Sequence, residues 1–195
     1  GNSLADVLTG KVNPSGKLPF SYPVSLDDAP VKTPVQYPGI MKEGERIAQE
    51  SYDEGIFVGY RWYEHKGIAP LFPFGYGLSY TTFEYGDAKL SSASMNKNGS
   101  VTVKNTGNAA GAEVVQLYIS DPECSVERPV KELKGFDKVF LQPGESKEVS
   151  FEINADALSY FDAQKHEWVA EPGVFKALIG ASSADIRSEA EFKLK

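Results

Sequence analysis

The densest run of reactive side chains in this sequence lies between residues 50 and 64, where Glu50, Asp53, Glu54 and Glu64 are interspersed with Tyr52, Tyr60, Trp62 and Tyr63. Carboxylates beside aromatic rings are the chemistry of sugar sites, and two carboxyl groups about 5–5.5 Å apart can serve as nucleophile and acid/base on a glycosidic bond. Within this run Trp62, Tyr63 and Glu64 are the expected sugar contacts. The plainer reading is a solvated, acidic approach to a strand whose aromatics pack between domains, because perturbed carboxylates also occur at structural positions. No residue is assigned a catalytic role.

Other groups carry less. His65 and His166 are far apart, and neither has a Cys or His at ligand spacing, so no metal site is expected. The single cysteine, Cys124, excludes an internal disulfide, and no cationic neighbour is evident that would activate its thiol. Gly75-Tyr76-Gly77 is too short for a phosphate loop and reads as a tight chain reversal among aromatics. Ser182-Ser183 lacks the nucleophile-elbow pattern. Asn98-Gly99-Ser100 fits both a glycosylation acceptor and a hairpin turn, and the turn is the preferred reading. Nothing implies a cofactor.

The elements that must position these residues fall into two kinds. Up to about Tyr80 the chain is irregular. A short helix is expected over residues 3–8, capped by Ser3, striped by Leu4, Val7 and Leu8, and ended by Gly10. Residues 17–22 read as a strand stopped by Pro23. Pro23, Pro30, Pro34 and Pro38 then impose an extended loop. Residues 54–63 are strand-like in composition. One helix and two separated strands do not close a domain, so this half resembles the tail of a larger α/β body.

Beyond Tyr80, apolar and polar residues alternate with period two, as half-buried strands require. Val101 and Val103, then Val115, Leu117 and Ile119, then Val149, Phe151 and Ile153, then Phe192 and Leu194 each share a face. Gln116 and Tyr118 share the opposite one. Turns are expected at Asn96-Lys97-Asn98-Gly99, Asn105-Thr106-Gly107-Asn108, Gln142-Pro143-Gly144-Glu145 and Glu171-Pro172-Gly173. A single helical turn is expected over 154–161. About seven short strands over roughly 115 residues fit an immunoglobulin-like β-sandwich, and without a Cys…Trp…Cys pattern the fibronectin type III variant is favoured.

The formal net charge of −7 argues against nucleic acid or an anionic membrane as partner. No window approaches the ~20 apolar residues of a membrane span.

Several segments, in order, resemble the end of a family 3 glycoside hydrolase: residues 1–10 and 13–19, residues 55–63, and Leu71-Phe72-Pro73-Phe74-Gly75-Tyr76-Gly77 with its continuation to Thr81. Residues 128–136, 168–173 and 179–183 continue the match. The resemblance implies a mainly β chain: a fibronectin III-like sandwich over 81–195, preceded by the C-terminal tail of an α/β sandwich domain over 1–22. A Pro-rich linker and aromatic interdomain segment lies between them, over 23–80. It also implies a β-glucosidase-like parent enzyme, and tilts its setting toward the periplasm or the cell exterior. In that family the nucleophilic aspartate sits on a (β/α)8 barrel, in a Ser-Asp-Trp-like motif, and the acid/base lies upstream of the segments matched here. Neither has a counterpart in this sequence, and a barrel needs about 250 residues of its own.

The chain alone is therefore expected to be inactive and to brace a catalytic barrel and an α/β domain, meeting β-glycoside only through the complete enzyme. Without those partners its apolar surface is expected to stay mobile or to be hidden by self-association. The competing reading is a stand-alone carbohydrate- or protein-binding sandwich. That reading needs an exposed row of aromatics. Phe136, Phe140, Phe161 and Trp168, with the other aromatics after Tyr80, instead read mostly as core-phase or turn-flanking, which favours bracing.

Overall fold

The computed structural model describes residues 1–91 and 97–195, with side chains described again from Ser100. In chain order the elements are α1 (Asn2–Leu8), α2 (Tyr60–Lys66), β1 (Phe83–Tyr85), β2 (Lys89–Leu90), β3 (Lys97–Asn105), β4 (Gly111–Ser120), β5 (Glu132–Leu141) and β6 (Ser146–Ile153). They continue with α3 (Ala155–Leu158), β7 (Tyr160–Asp162), β8 (Glu167–Val169), β9 (Gly173–Ser182) and β10 (Asp185–Leu194). The chain is mainly β, and its strands after Tyr80 form the expected sandwich.

One sheet is centred on β3, which pairs β6 along one edge and β1 and β2 along the other. The other sheet has the order β10-β9-β4-β5, all antiparallel. The alternation fixes which side chains meet between them. Val101, Val103, Val115, Leu117, Ile119, Val149, Phe151 and Ile153 point inward and are buried, joined by Val139, Leu141, Phe175 and Phe192. The β7–β8 hairpin forms a third, two-stranded sheet of its own.

Several local expectations are corrected. Residues 54–63 form no strand. Instead Gly59 at φ 58° and Gly67 in the left-handed region bracket helix α2, because Tyr60, Tyr63 and Glu64, at helical spacing, face the sandwich. Helix α1 starts one residue earlier than expected, after Gly1, with no side-chain cap. Residues 17–22 are extended but make only one β-bridge, Tyr22 to Phe72. Their neighbour is 71–76, through Leu18 N–H to Tyr76 O, Gly75 N–H to Leu18 O and Tyr22 N–H to Phe72 O. Pro19 and Pro73 donate nothing, so no regular ladder forms. The turn expected at Asn96-Lys97-Asn98-Gly99 is not formed by its last three residues: Lys97 to Gly99 pair with β6, and Asn96 lies outside the described residues. The turn over 154–161 shortens to α3, capped by Asn154 Oδ1 accepting from Ala157 N–H, before β7 begins.

The largest departure concerns β4. Gln116 and Tyr118 lie on its outer face yet are as buried as the core. The irregular first half covers them.

Candidate functional site

The cover is built from polar bonds. Gln116 Nε2 donates to Ala181 O at 2.8 Å and to Gly75 O at 3.3 Å, while its Oε1 accepts from Tyr118 OH at 2.6 Å. A Cβ at Gly75 would lie 2.3 Å from Gln116 Oε1, and Gly75 has φ +80°, so glycine is required there twice over. Asn13 Nδ2 donates to Ala110 O. Lys17 Nζ pairs with the buried Glu113 at 2.8 Å and donates to Ala181 O. Ser183 N–H donates to Phe74 O. The chain reversal at Gly75-Tyr76-Gly77 thus plugs onto the sheet.

Helix α2, which carries the three expected site residues, docks on the same sheet through Tyr60 and Glu64. Tyr60 stacks on Phe74 at 5.0 Å and meets Tyr118 edge-on at 5.9 Å, and its hydroxyl accepts from Leu133 N–H. Burial pushes the Tyr118 hydroxyl well above its ordinary pKa, with Tyr60 and Glu64 adding to the effect. Tyr63 is buried. Trp62 Nε1 donates to Asp28 O at 2.9 Å, tying α2 to the Pro-rich loop, and the ammonium groups of Lys66 and Lys32 lie over its ring at 5.0 and 5.7 Å. Glu64 Oε1 accepts from Lys131 at 2.5 Å. Among the described residues Glu64 Oε2 is buried without a partner, and burial raises the carboxyl pKa against the opposing pull of Lys131.

The remaining carboxylates of the run do not join this group. Glu54 accepts from Gln36 Nε2 and Asp53 from Ser51, both within the loop, and Glu50 is exposed. His65 stacks on Phe57 with centroids 3.9 Å apart. Burial raises the Cys124 thiol pKa, and its sulfur donates toward Glu171 at 3.6 Å. What α2 offers chemically is ion pairing and hydrogen bonding between two segments.

One reading of the aromatics is corrected. Phe136, Phe140, Phe161 and Trp168 are exposed. Phe136 and Phe140 sit on the outer face of the edge strand β5, whose Val139 and Leu141 take the inward positions. Phe161 and Trp168 cross the β7–β8 hairpin, outside the sandwich. The residues that sequence reasoning missed are Gln116, Tyr118, Lys17, Glu113 and Lys131. For the first two a signal existed: Val114-Val115-Gln116-Leu117-Tyr118-Ile119 is nearly continuous in apolar character, the mark of a strand buried on both faces.

Comparison with known proteins agrees with this architecture. Residues 1–60 match the glycosyl hydrolase family 3 C-terminal domain, and residues 113–183 match the fibronectin type III-like domain. A β-glucosidase of Bacteroides ovatus is 58% identical over 99% of this chain, which covers 26% of that protein. Thermostable β-glucosidase B of Acetivibrio thermocellus is 52% identical over 95% of this chain, covering 24% of that protein. The crystal structure of a Bifidobacterium adolescentis family 3 β-glucosidase superposes over 100% of this chain and 28% of its own, with a TM-score of 0.91 and 38% identity. The chain therefore spans about a quarter of the length of the curated relatives it matches.

Proposed function

Because the chain is the C-terminal part of a family 3 glycoside hydrolase, we propose that it braces the catalytic domains of a β-glucosidase-like enzyme that hydrolyses terminal β-glycosidic bonds. On this reading it supplies neither nucleophile nor acid/base. The observation that carries the reading is the double character of residues 1–80. Gly75, Tyr60, Glu64 and Lys17 bind β4, β5 and the residue leading into β5 through polar contacts wholly or partly shielded from water. The same stretch leaves Leu4, Leu8, Phe20, Leu26 and Ile47 exposed, Leu26 at 83% and Ile47 at 79%. Bare apolar surface of this kind marks contact sites. The partners proposed for it are the body of the α/β domain and the catalytic barrel.

In this scheme residues 1–22 close the α/β domain, residues 23–80 link it, and residues 81–195 form the sandwich. Trp62, Tyr63 and Glu64 then act as a clamp between loop, helix and sheet, and β-glycoside is met only through the complete enzyme. Support comes from the bonds of Trp62 Nε1 to Asp28 and of Glu64 Oε1 to Lys131, which tie the helix to loop and sheet.

The test is activity. The purified chain is expected to show no turnover of aryl β-glucosides or β-xylosides, since loss of the nucleophile costs many factors of ten at about 1.4 kcal/mol each. Steady hydrolysis that disappears on Glu54→Gln or Glu64→Gln would overturn the reading.

A further inference from the structure

A cleft of about 670 Å³ opens between Arg61 of α2, the head of β5 and the β7–β8 hairpin. Its wall is apolar and bare. Trp168 is 70% exposed and Phe161 50%, with their rings edge-to-face at 5.7 Å, and Ile56 adjoins them. Its floor is ionic. Glu132 accepts from Arg128 at 2.6 Å and lies 3.2 Å from Arg61 and 3.7 Å from Lys134, while Asp121 takes the other Arg128 nitrogen at 3.0 Å.

Arg61, Arg128 and Lys134 thus share Glu132 and Asp121, leaving one positive charge over. Of the other carboxylates at the cleft, Asp162 is held by Lys165 at 3.3 Å and by two backbone N–H groups, and Glu127 is exposed to water. Lys134 is the cation left short. At 3.7 Å Glu132 is beyond hydrogen-bond reach, and among the described residues the ammonium has no other acceptor. Burial, with Arg128 and Arg61 nearby, lowers its pKa despite Glu132. An exposed indole and a half-dehydrated, under-paired ammonium lining one cleft make a two-part socket, completed by apolar contact and one carboxylate.

Building on the bracing reading, we propose that this cleft is a docking socket for a segment of the same enzyme's catalytic part. That segment presents a carboxylate to Lys134 and an apolar side chain to Trp168. The occupant is argued from length and charge. Relatives are about four times longer than this chain, so a tethered partner is present at high effective concentration, which a free saccharide or a second copy must outcompete. The surplus cation selects an acidic group.

Assembly in trans tests the socket. The chain is mixed with the complementary upstream part of the Bacteroides ovatus β-glucosidase, its 58% identical relative, and affinity is read by sedimentation or calorimetry. Trp168→Ser and Lys134→Glu are each expected to weaken assembly by at least about tenfold, or ~1.4 kcal/mol. Lys147→Glu, at an exposed site on β6, should leave it unchanged. An unaltered unfolding midpoint shows that the surface variants still fold. If the unmodified chain assembles and the two socket variants assemble equally well, the socket is refuted while bracing stands. If the unmodified chain does not assemble at all, both fall. Binding of a cello-oligosaccharide or a second copy that Trp168→Ser abolishes, with assembly kept, overturns the proposal in favour of that ligand.

Discussion

The sandwich strands and the 80 residues before them are held by different physics. Between the sheets, large side chains from β3, β4, β5, β6, β9 and β10 meet with their polar groups facing away, so cohesion comes from apolar burial and close packing. In residues 1–80 the helices α1 and α2 are seven residues each, too short to persist alone. Order there is borrowed from β4 and β9, through Gln116 on the outer face of β4, Glu113 near one end of that strand, and the Ala181 carbonyl. A core of the first kind is judged by volume, and a junction of the second kind by whether each polar group keeps its partner. The junction suits a brace, since it fixes orientation more than it adds bulk stability.

The largest effect that could break this contrast is in the core. Phe151→Ala is expected to cost about 3–5 kcal/mol in global unfolding by denaturant, because it removes a buried ring and leaves a cavity. Phe151 faces Gly135 across the sandwich, where an added Cβ would meet its ring at 3.1 Å. A loss under about 1 kcal/mol would mean that this layer is not packed as described.

The middle effect probes the junction. Gly75→Ala puts a methyl onto Gln116 in a backbone conformation that alanine resists, a strain of order 1–3 kcal/mol. It should loosen residues 60–77 in hydrogen exchange while the core strands keep their protection. If protection falls uniformly, junction and sandwich are one cooperative unit, and the contrast fails.

The same contrast decides how much could be read from sequence. The phase of β3 and β6 was legible because period two is a local property of a strand with one wet face, and Val149, Phe151 and Ile153 carry it openly. The turn at Gln142-Pro143-Gly144-Glu145 was legible for the same reason: Gly144 at φ 77° is local chemistry. Helix α2 was misread because Tyr60, Trp62 and Tyr63 suit strands by composition, while the glycines that bracket the helix act only through their φ angles. The 71–76 partner of residues 17–22 was missed because prolines remove the ladder pattern that would announce it. In the site, Lys131 under Glu64 and Lys17 under Glu113 are contacts across 67 and 96 positions (131 − 64 and 113 − 17), with no local signature.

The smallest effect is the sharpest discriminator, because two half-buried glutamates, Glu64 on α2 and Glu132 beside it, should titrate in opposite senses. Burial is the largest influence on both. For Glu64 it wins: Oε2 has no donor, Lys131 compensates only in part, and the folded pKa lies above the unfolded one. The penalty from Glu64 is present at neutral pH and is relieved as pH falls through that raised value, since the folded state takes up its proton first. For Glu132 the hydrogen bond from Arg128 and the fields of Lys134, Arg128 and Arg61 outweigh burial, and the folded pKa lies below the ordinary range. Its stabilisation is present above the unfolded pKa and is lost as pH falls through the lowered folded value. Unfolding free energies of the unmodified chain, Glu64→Gln and Glu132→Gln between pH 7 and 3 should therefore diverge. Relative to Glu64→Gln, the unmodified chain gains stability on acidification, in a window just above the usual carboxylate pKa. Relative to Glu132→Gln it loses stability, in a window just below. If both differences move in the same direction, Glu64 is not the under-donated carboxylate described, and the junction is a second conventional ion-pair layer.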